Sequence, residues 1–237
     1  VNAPRRDVGV IVVAAGLGTR AGDGALKQYR MIGGVPMLLR AVRPFARHPS
    51  VAAIALVLPA ADAASPPDWL APHAGELLRF VAGGAERSDS VAAGLAALPE
   101  ECAVVLVHDA ARPFVDRDAI DRVVAAVREG AAALAAVPLE DTLKEAGAAD
   151  PSLVARTVPR ARLWRAQTPQ GFPRELLERA HREARSVGAV ATDDAMLVER
   201  LGAPVRLVPG SARNIKVTTP DDFALAELLA AAEGPGA

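Results

Sequence analysis

The stretch that decides the fold is Val8-Gly9-Val10-Ile11-Val12-Val13-Ala14-Ala15-Gly16-Leu17-Gly18-Thr19-Arg20. Val8–Ala14 is continuous in Val and Ile, the pattern of a strand covered on both faces rather than a half-exposed one. A glycine turn follows at once, and in open α/β sheets the carboxyl ends of the strands line the ligand crevice. Arg5 and Arg6 ahead of the run give the outline of a short signal peptide. The run is too short to span a bilayer and passes into a turn carrying Arg20 and Lys27, so it is read as a strand. No other segment is long and apolar enough to be transmembrane.

Outward from this strand, apolar runs alternate with helical spacing. The pattern predicts a helix over Val35–Arg47, strands at Val51–Leu58 and Leu77–Ala82, and a helix over Glu86–Leu98. A strand at Ala103–Val107, a helix over Asp116–Glu129 and an alanine-rich strand at Ala131–Val137 follow. This is the order of parallel βα units with helices on both faces. The rhythm breaks at Pro138. Residues 138–165 are richer in charge, and Thr142–Lys144 with Val154–Val158 are predicted to pair as a projecting hairpin around Gly147–Pro151. From Pro173 the α/β pattern returns. A helix over Thr192–Leu201 has Thr192 as its expected cap, Val205–Val208 is a strand, and Thr219-Pro220-Asp221-Asp222 is a strong helix start. The expectation is one domain over residues 1–237, with an arm inserted at about 138–165.

Hydrophobic residues make up 51% of the 237, enough for a large core, and aromatics only 3%, too few for a platform of rings on single-stranded nucleic acid. A net charge of −1 argues against a general nucleic-acid or membrane binder. The charge is uneven, however: residues 1–61 hold eight Lys or Arg against Asp7 and Asp23, so this part is suited to an anion. The single cysteine, Cys102, can form no intramolecular disulfide, which fits a reducing, cytoplasmic setting.

The glycine turn separates three kinds of site. A P-loop needs Gly-Lys followed by Ser or Thr, which is absent. A dinucleotide fingerprint needs Gly where Ala21 stands and an acid about twenty residues on, yet no acid occurs between Asp23 and Asp62. What remains is a loop in which Gly16 and Gly18 let backbone N–H groups approach a triphosphate, with Arg20 and Lys27 as the neutralising cations. Two solvated cations beside a turn is the bland alternative.

Here a resemblance becomes specific. Ala14-Ala15-Gly16-x-Gly18-x-Arg20 with Lys27-Gln28-Tyr29 resembles the methylerythritol phosphate cytidylyltransferase family. Four more matches stand in family order: Gly83-Gly84-x-x-Arg87-x-x-Ser90-Val91, Val107-His108-Asp109-Ala110-Ala111-Arg112-Pro113, Thr168-Pro169-Gln170 and Asn214-Ile215-Lys216-Val217-Thr218. The resemblance implies a single Rossmann-like nucleotidyltransferase α/β domain, with a mostly parallel twisted sheet and a projecting β-arm. It further implies transfer of CMP from CTP to 2-C-methyl-D-erythritol 4-phosphate with release of pyrophosphate, a step in isoprenoid precursor biosynthesis.

Residue by residue, the resemblance implies that Arg20 and Lys27 hold the triphosphate and stabilise the transition state, with Mg²⁺ bridging the phosphates. Cytosine is expected against the backbone of Ala14, Ala15 and Gly84, with help from Ser90, whose bland reading is a helix-facing hydroxyl. Asp109 suits either a ribose hydroxyl or the metal shell, and is the weak metal candidate. His108 beside it is read as structural rather than ligating. Arg112 supports the second substrate or Asp109. Lys216 and Arg160 of the arm are the cations for the acceptor phosphate, Thr168 an added contact, and Thr142 a further substrate-binding residue. The resemblance also implies a homodimer in which each arm serves the neighbour's site. Three rivals stay open on residues alone: the same chemistry on ribitol 5-phosphate, a sugar nucleotidyltransferase using another nucleotide, and a nucleotide-binding module without catalysis.

Overall fold

The structure is a computed structural model, and it describes residues 5–16 and 26–233. Val8–Val13 is a strand (β1) with side chains buried on both faces, as its unbroken apolar run requires. A short hairpin follows, Met31–Ile32 (β2) with Val35–Pro36 (β3), turning on Gly33 and Gly34 at φ of 56° and 73°. These two left-handed positions need glycine, and they delay the first long helix (α1) to Met37–Ala46, past the expected Val35. Next come Val51–Leu58 (β4), the short helix Ala60–Ala64 (α2), Leu78–Ala82 (β5) and Arg87–Ala97 (α3). Val104–Asp109 (β6), Arg117–Arg128 (α4), Ala132–Pro138 (β7), Leu143–Ala146 (β8) and Val154–Val158 (β9) follow. The chain closes through Trp164–Pro173 (β10), Arg174–Ser186 (α5), Asp194–Arg200 (α6), Val205–Pro209 (β11) and Pro220–Ala231 (α7).

The main sheet has seven strands in the order β11-β7-β10-β6-β1-β4-β5. All neighbours run parallel except β10, which is antiparallel to both β6 and β7. After β1 the chain builds outward through β4 and β5, then returns to the other side of β1 with β6. That reversal puts a crevice at the carboxyl ends of β1 and β6. Two-residue alternation divides the core. Val10 and Val12 of β1 pack with Leu38, Phe45, Ile120 and Val123 from α1 and α4. Ile11 packs with Val91, Leu95, Leu177 and Leu197 from α3, α5 and α6. A third cluster, containing Phe114, Val217 and Phe223, holds α7 and the segment before it.

Two expectations need correction. β10 was not anticipated, because Gln167, Thr168 and Gln170 interrupt any apolar run. They are buried nonetheless, and Gln170 donates to Asp193 Oδ2 at 2.8 Å and accepts from the Ala195 N–H at 3.0 Å. Asp193, not Thr192, caps α6, accepting the Met196 N–H at 2.9 Å. The expected Thr219 cap is present and reciprocal, with Asp222 returning bonds to the Thr218 and Thr219 N–H groups at 2.8 Å. The alanine strand β7 forms because small side chains fit where β10 and β11 flank it and both faces are covered. β8 and β9 pair with each other in a separate two-stranded sheet.

Candidate active site

The end of β1 is held from two sides. The Ala14 N–H donates to the Val57 carbonyl at 2.8 Å, and the Ala14 carbonyl accepts Gln28 Nε2, also at 2.8 Å. Gln28 lies in the single helical turn Lys27–Tyr29 and is buried. Tyr29 ties the same turn down from the far side. Its hydroxyl donates to Asp62 Oδ2 at 2.6 Å and its ring meets Trp69 edge-on, centroids 5.3 Å apart. Burial and that carboxylate push the Tyr29 phenol well above its ordinary range, so it stays a donor. The local sequence Lys-Gln-Tyr thus presents Lys27 from a turn anchored by its two neighbours.

The opposing wall comes from Gly83 and Gly84. A Cβ on Gly83 would sit 2.3 Å from the Ala15 Cβ, so the two backbones approach as closely as glycine permits. The Gly84 N–H donates to Ser90 Oγ at 3.2 Å, and that hydroxyl donates to the Glu86 carbonyl at 3.2 Å. Ser90 therefore braces the loop while lining the cleft, close to its bland reading.

Asp109 ends β6 and rests on a buried relay. Its N–H donates to Thr168 Oγ1 at 3.1 Å, the Thr168 hydroxyl donates to His108 Nδ1 at 2.9 Å, and His108 Nε2–H donates to the Arg112 carbonyl at 3.0 Å. Each donor has one acceptor, which requires neutral His108. Burial depresses the imidazole to about 4, in agreement. The Asp109 carboxylate takes Lys216 Nζ at 2.8 Å and lies 3.6 Å from Arg87. Burial works to raise its pKa, but Lys216 and then Arg87 outweigh burial and bring it to about 2. Asp109 is ionised and accepts only.

Together these groups enclose a cleft of about 520 Å³ at the carboxyl ends of β1 and β6. Ala14, Ala15, Gly16, Lys27, Gly84, Ser90, Asp109 and Lys216 all line it. Lys216 reaches it because Val217 is fully buried and its N–H is fixed to the Ala111 carbonyl at 2.8 Å, which turns the preceding side chain outward.

The sequence model of the IspD family, 2-C-methyl-D-erythritol 4-phosphate cytidylyltransferase, matches residues 8–231. The chain belongs to this family. It is 46% identical over 221 residues to the 2-C-methyl-D-erythritol 4-phosphate cytidylyltransferase of Salinibacter ruber, covering 93% of this chain and 91% of that one. It is also 46% identical over 229 residues to the bifunctional enzyme IspD/IspF of Desulforudis audaxviator, covering 94% of this chain but 56% of that longer relative. A crystal structure of 2-C-methyl-D-erythritol 4-phosphate cytidylyltransferase from Thermus thermophilus matches with a TM-score of 0.79 at 39% identity, covering 95% of this chain and 99% of that chain.

As a member of the 2-C-methyl-D-erythritol 4-phosphate cytidylyltransferase family, the chain keeps some expected residues away from its own cleft wall. Thr168 is buried behind Asp109, with its hydroxyl engaged by His108 and the Asp109 N–H. Arg112 donates to the Asn214 carbonyl at 2.7 Å and the Ala166 carbonyl at 3.2 Å, tying the Lys216 segment to β10, while its charge adds to those that keep Asp109 ionised, in line with its expected support of Asp109. Arg160 and Thr142 are exposed on the arm, where Arg160 donates to the Glu140 carbonyl. Arg20 and Gly18 lie outside the described residues. Arg87 also lines the cleft, and its residue type and spacing assigned it no role. It stands in the Gly83–Val91 motif, and only its approach to Asp109 marks it.

Proposed function

We propose that the chain transfers CMP from CTP to 2-C-methyl-D-erythritol 4-phosphate, releasing pyrophosphate, as the names of its relatives indicate. The observation carrying this reading is a cleft with Lys27 and Lys216 around an ionised Asp109, walled by two closely apposed small-residue backbones. An oxygen of the acceptor phosphate attacks the α-phosphorus, the bond to the bridging oxygen breaks, and pyrophosphate leaves. Lys27 and Lys216 offset charge on the phosphate oxygens, and the pinned backbone at Ala14, Ala15 and Gly84 offers fixed donors and acceptors to the cytosine edge.

Mg²⁺ is part of the proposal. No group of three or more His, Cys, Asp or Glu among the described residues could hold a metal ion, and Asp109 is the cleft carboxylate nearest the cations. That donor set suits a hard ion carried mainly by triphosphate oxygens and water. Such an ion would neutralise the departing pyrophosphate.

The finer proposal is a cytoplasmic homodimer with exchanged arms. It is supported by the pairing of β8 only with β9 in its sheet, and by exposed Leu153, Val154 and Trp164 along the arm. A lone hairpin is marginal in water, so a partner surface would stabilise it. Arg160 and Thr142 would then serve the neighbouring cleft. Among the described residues, no helix is long and apolar enough to cross a membrane.

The test is pyrophosphate release from CTP with Mg²⁺ and 2-C-methyl-D-erythritol 4-phosphate. It is run beside ribitol 5-phosphate as acceptor, UTP and GTP as donors, and a chelated control. Faster turnover with ribitol 5-phosphate, or preference for another nucleotide, would overturn the substrate assignment. Undiminished activity after chelation would overturn the metal.

A further inference from the structure

Arg87 is the first residue of α3, and its guanidinium joins three elements. Nη1 donates to Asp194 Oδ2 at 2.7 Å, while Nη2 lies 3.6 Å from Asp109 Oδ1. Asp194 opens α6 and is 1% exposed, and its other oxygen is 3.0 Å from His181 Nε2 of α5. A buried carboxylate persists only where it is paired and hydrogen-bonded. Both oxygens of Asp194 are so engaged, and the α6 N-terminus adds its dipole. Burial works against the charge, but the His181 hydrogen bond and Arg87 bring the carboxyl below its ordinary range. Asp194 is therefore a fixed anchor for the far end of Arg87.

The near end faces Asp109. Phosphate oxygens are acceptors, as is the Asp109 carboxylate, and the cytosine amino group belongs, in the reading above, to the backbone at Ala14, Ala15 and Gly84, so the substrate donor left for Asp109 is a hydroxyl. Accepting that bond needs the carboxylate plane to be set, and the terminal torsion of Asp is broad. Lys216, a point charge on a flexible stem, leaves the plane free. A planar guanidinium held at its other side by Asp194 instead sets a fixed positive charge 3.6 Å from Asp109 Oδ1, an ion-pair contact that biases the orientation of that oxygen.

We propose that Arg87, anchored by Asp194 and His181, is a positioning residue that fixes the Asp109 carboxylate to accept a hydrogen bond from a substrate hydroxyl. This rests on the reading of the cleft as the site of cytidylyl transfer. The hydroxyl belongs either to the ribose of CTP or to the polyol acceptor.

The experiment is steady-state kinetics on purified wild type, Asp109→Asn, Arg87→Lys, Asp194→Asn and the double variant Arg87→Lys/Asp109→Asn. It uses CTP, 2′-deoxy-CTP, 3′-deoxy-CTP and varied acceptor, below the Tm of every protein. Each single variant should lose on the order of 10²-fold in kcat/KM, the scale of a misplaced group. The double variant should lose no more than Asp109→Asn, because Arg87 acts through Asp109. If the ribose is held, preference for CTP over a deoxy analogue collapses alike in Asp109→Asn and Arg87→Lys. If the polyol is held, that preference stays and the acceptor KM rises in both. Asp194→Asn leaves the Arg87 side chain unaltered but weakens its anchor, and it should repeat the Arg87→Lys pattern, which covers a poorly folded lysine variant. A further comparable loss from Arg87→Lys in the Asp109→Asn background, or unchanged kinetics in Asp194→Asn, would overturn the positioning role alone. A wild type that releases no pyrophosphate would overturn the underlying reading as well.

Discussion

Lys27 is presented by a turn that its neighbours fix, with Gln28 on the Ala14 carbonyl and Tyr29 on Asp62. Its removal should therefore leave the fold intact and reach the chemistry. Lys27→Ala is expected to lower kcat by ~10²–10³-fold with an unchanged Tm. Turnover near wild type would take Lys27 out of the catalytic set. His108 makes a prediction about pH. Its pKa falls from 6.5 in the unfolded chain to about 4 in the fold, so between these values the unfolded state binds the extra proton. The stabilisation is complete above about 6.5 and is lost as pH falls through 4, amounting to about 3 kcal/mol. Urea midpoints from pH 7 to 4 should show this loss in wild type and a shallower slope in His108→Asn. Equal slopes would mean that the imidazole takes up its proton as readily in the fold as in the unfolded chain.

At the scale of elements, the Gly83–Gly84 turn and the end of β1 form one unit. A Cβ at Gly83 would meet the Ala15 Cβ at 2.3 Å and Ser90 Oγ at 2.9 Å, and neither neighbour is the far end of a flexible chain. Gly83→Ala should cost about 1–3 kcal/mol in stability through overpacking. It should also weaken CTP binding, because Ala15 is part of the cleft wall. Thermal unfolding and calorimetric titration with CTP check the two halves. Normal values for both would show that the loop yields freely. The helices bring a different lesson. Asp116, Asp193 and Thr219 each accept an N–H three residues on, and these caps place α4, α6 and α7. At α6, neighbouring Thr192 and Asp193 both have capping chemistry, so composition alone does not choose between them.

At the scale of the whole molecule, the arm and the cleft belong to one proposed assembly. If Arg160 serves a neighbouring cleft, mixing Arg160→Ala with Lys27→Ala protein should create heterodimers holding one intact site. Activity should recover in part after subunit exchange. Exchange demonstrated by mass spectrometry with activity still at the level of the separate mutants would refute shared sites, as would a fully active monomer. Two-fold symmetry is the commonest closure for such an arm, since each copy offers the same surface to the other.

The linear chain carried the periodicities and the short-range chemistry. The run Val8–Val13, the alternating helices and strands, the glycine turns and the Thr219 cap are all set by residues near one another, so they were legible at once. The family motifs also named Ala14, Lys27, Asp109 and Lys216 before any of them met. Other features arose only when distant segments packed. β10 is polar in sequence and buried in space, because Gln170 finds partners at Asp193 and Ala195 that folding alone supplies. Thr168 and Arg112 carry groups suited to a substrate, yet their hydrogen bonds fall on His108, Asn214 and Ala166. Arg87 gains its place from Asp194, 107 residues further along the chain. Residue type states which bonds a side chain can make; which of them it does make depends on what the fold brings within reach, since a buried polar group must be satisfied by the partners present.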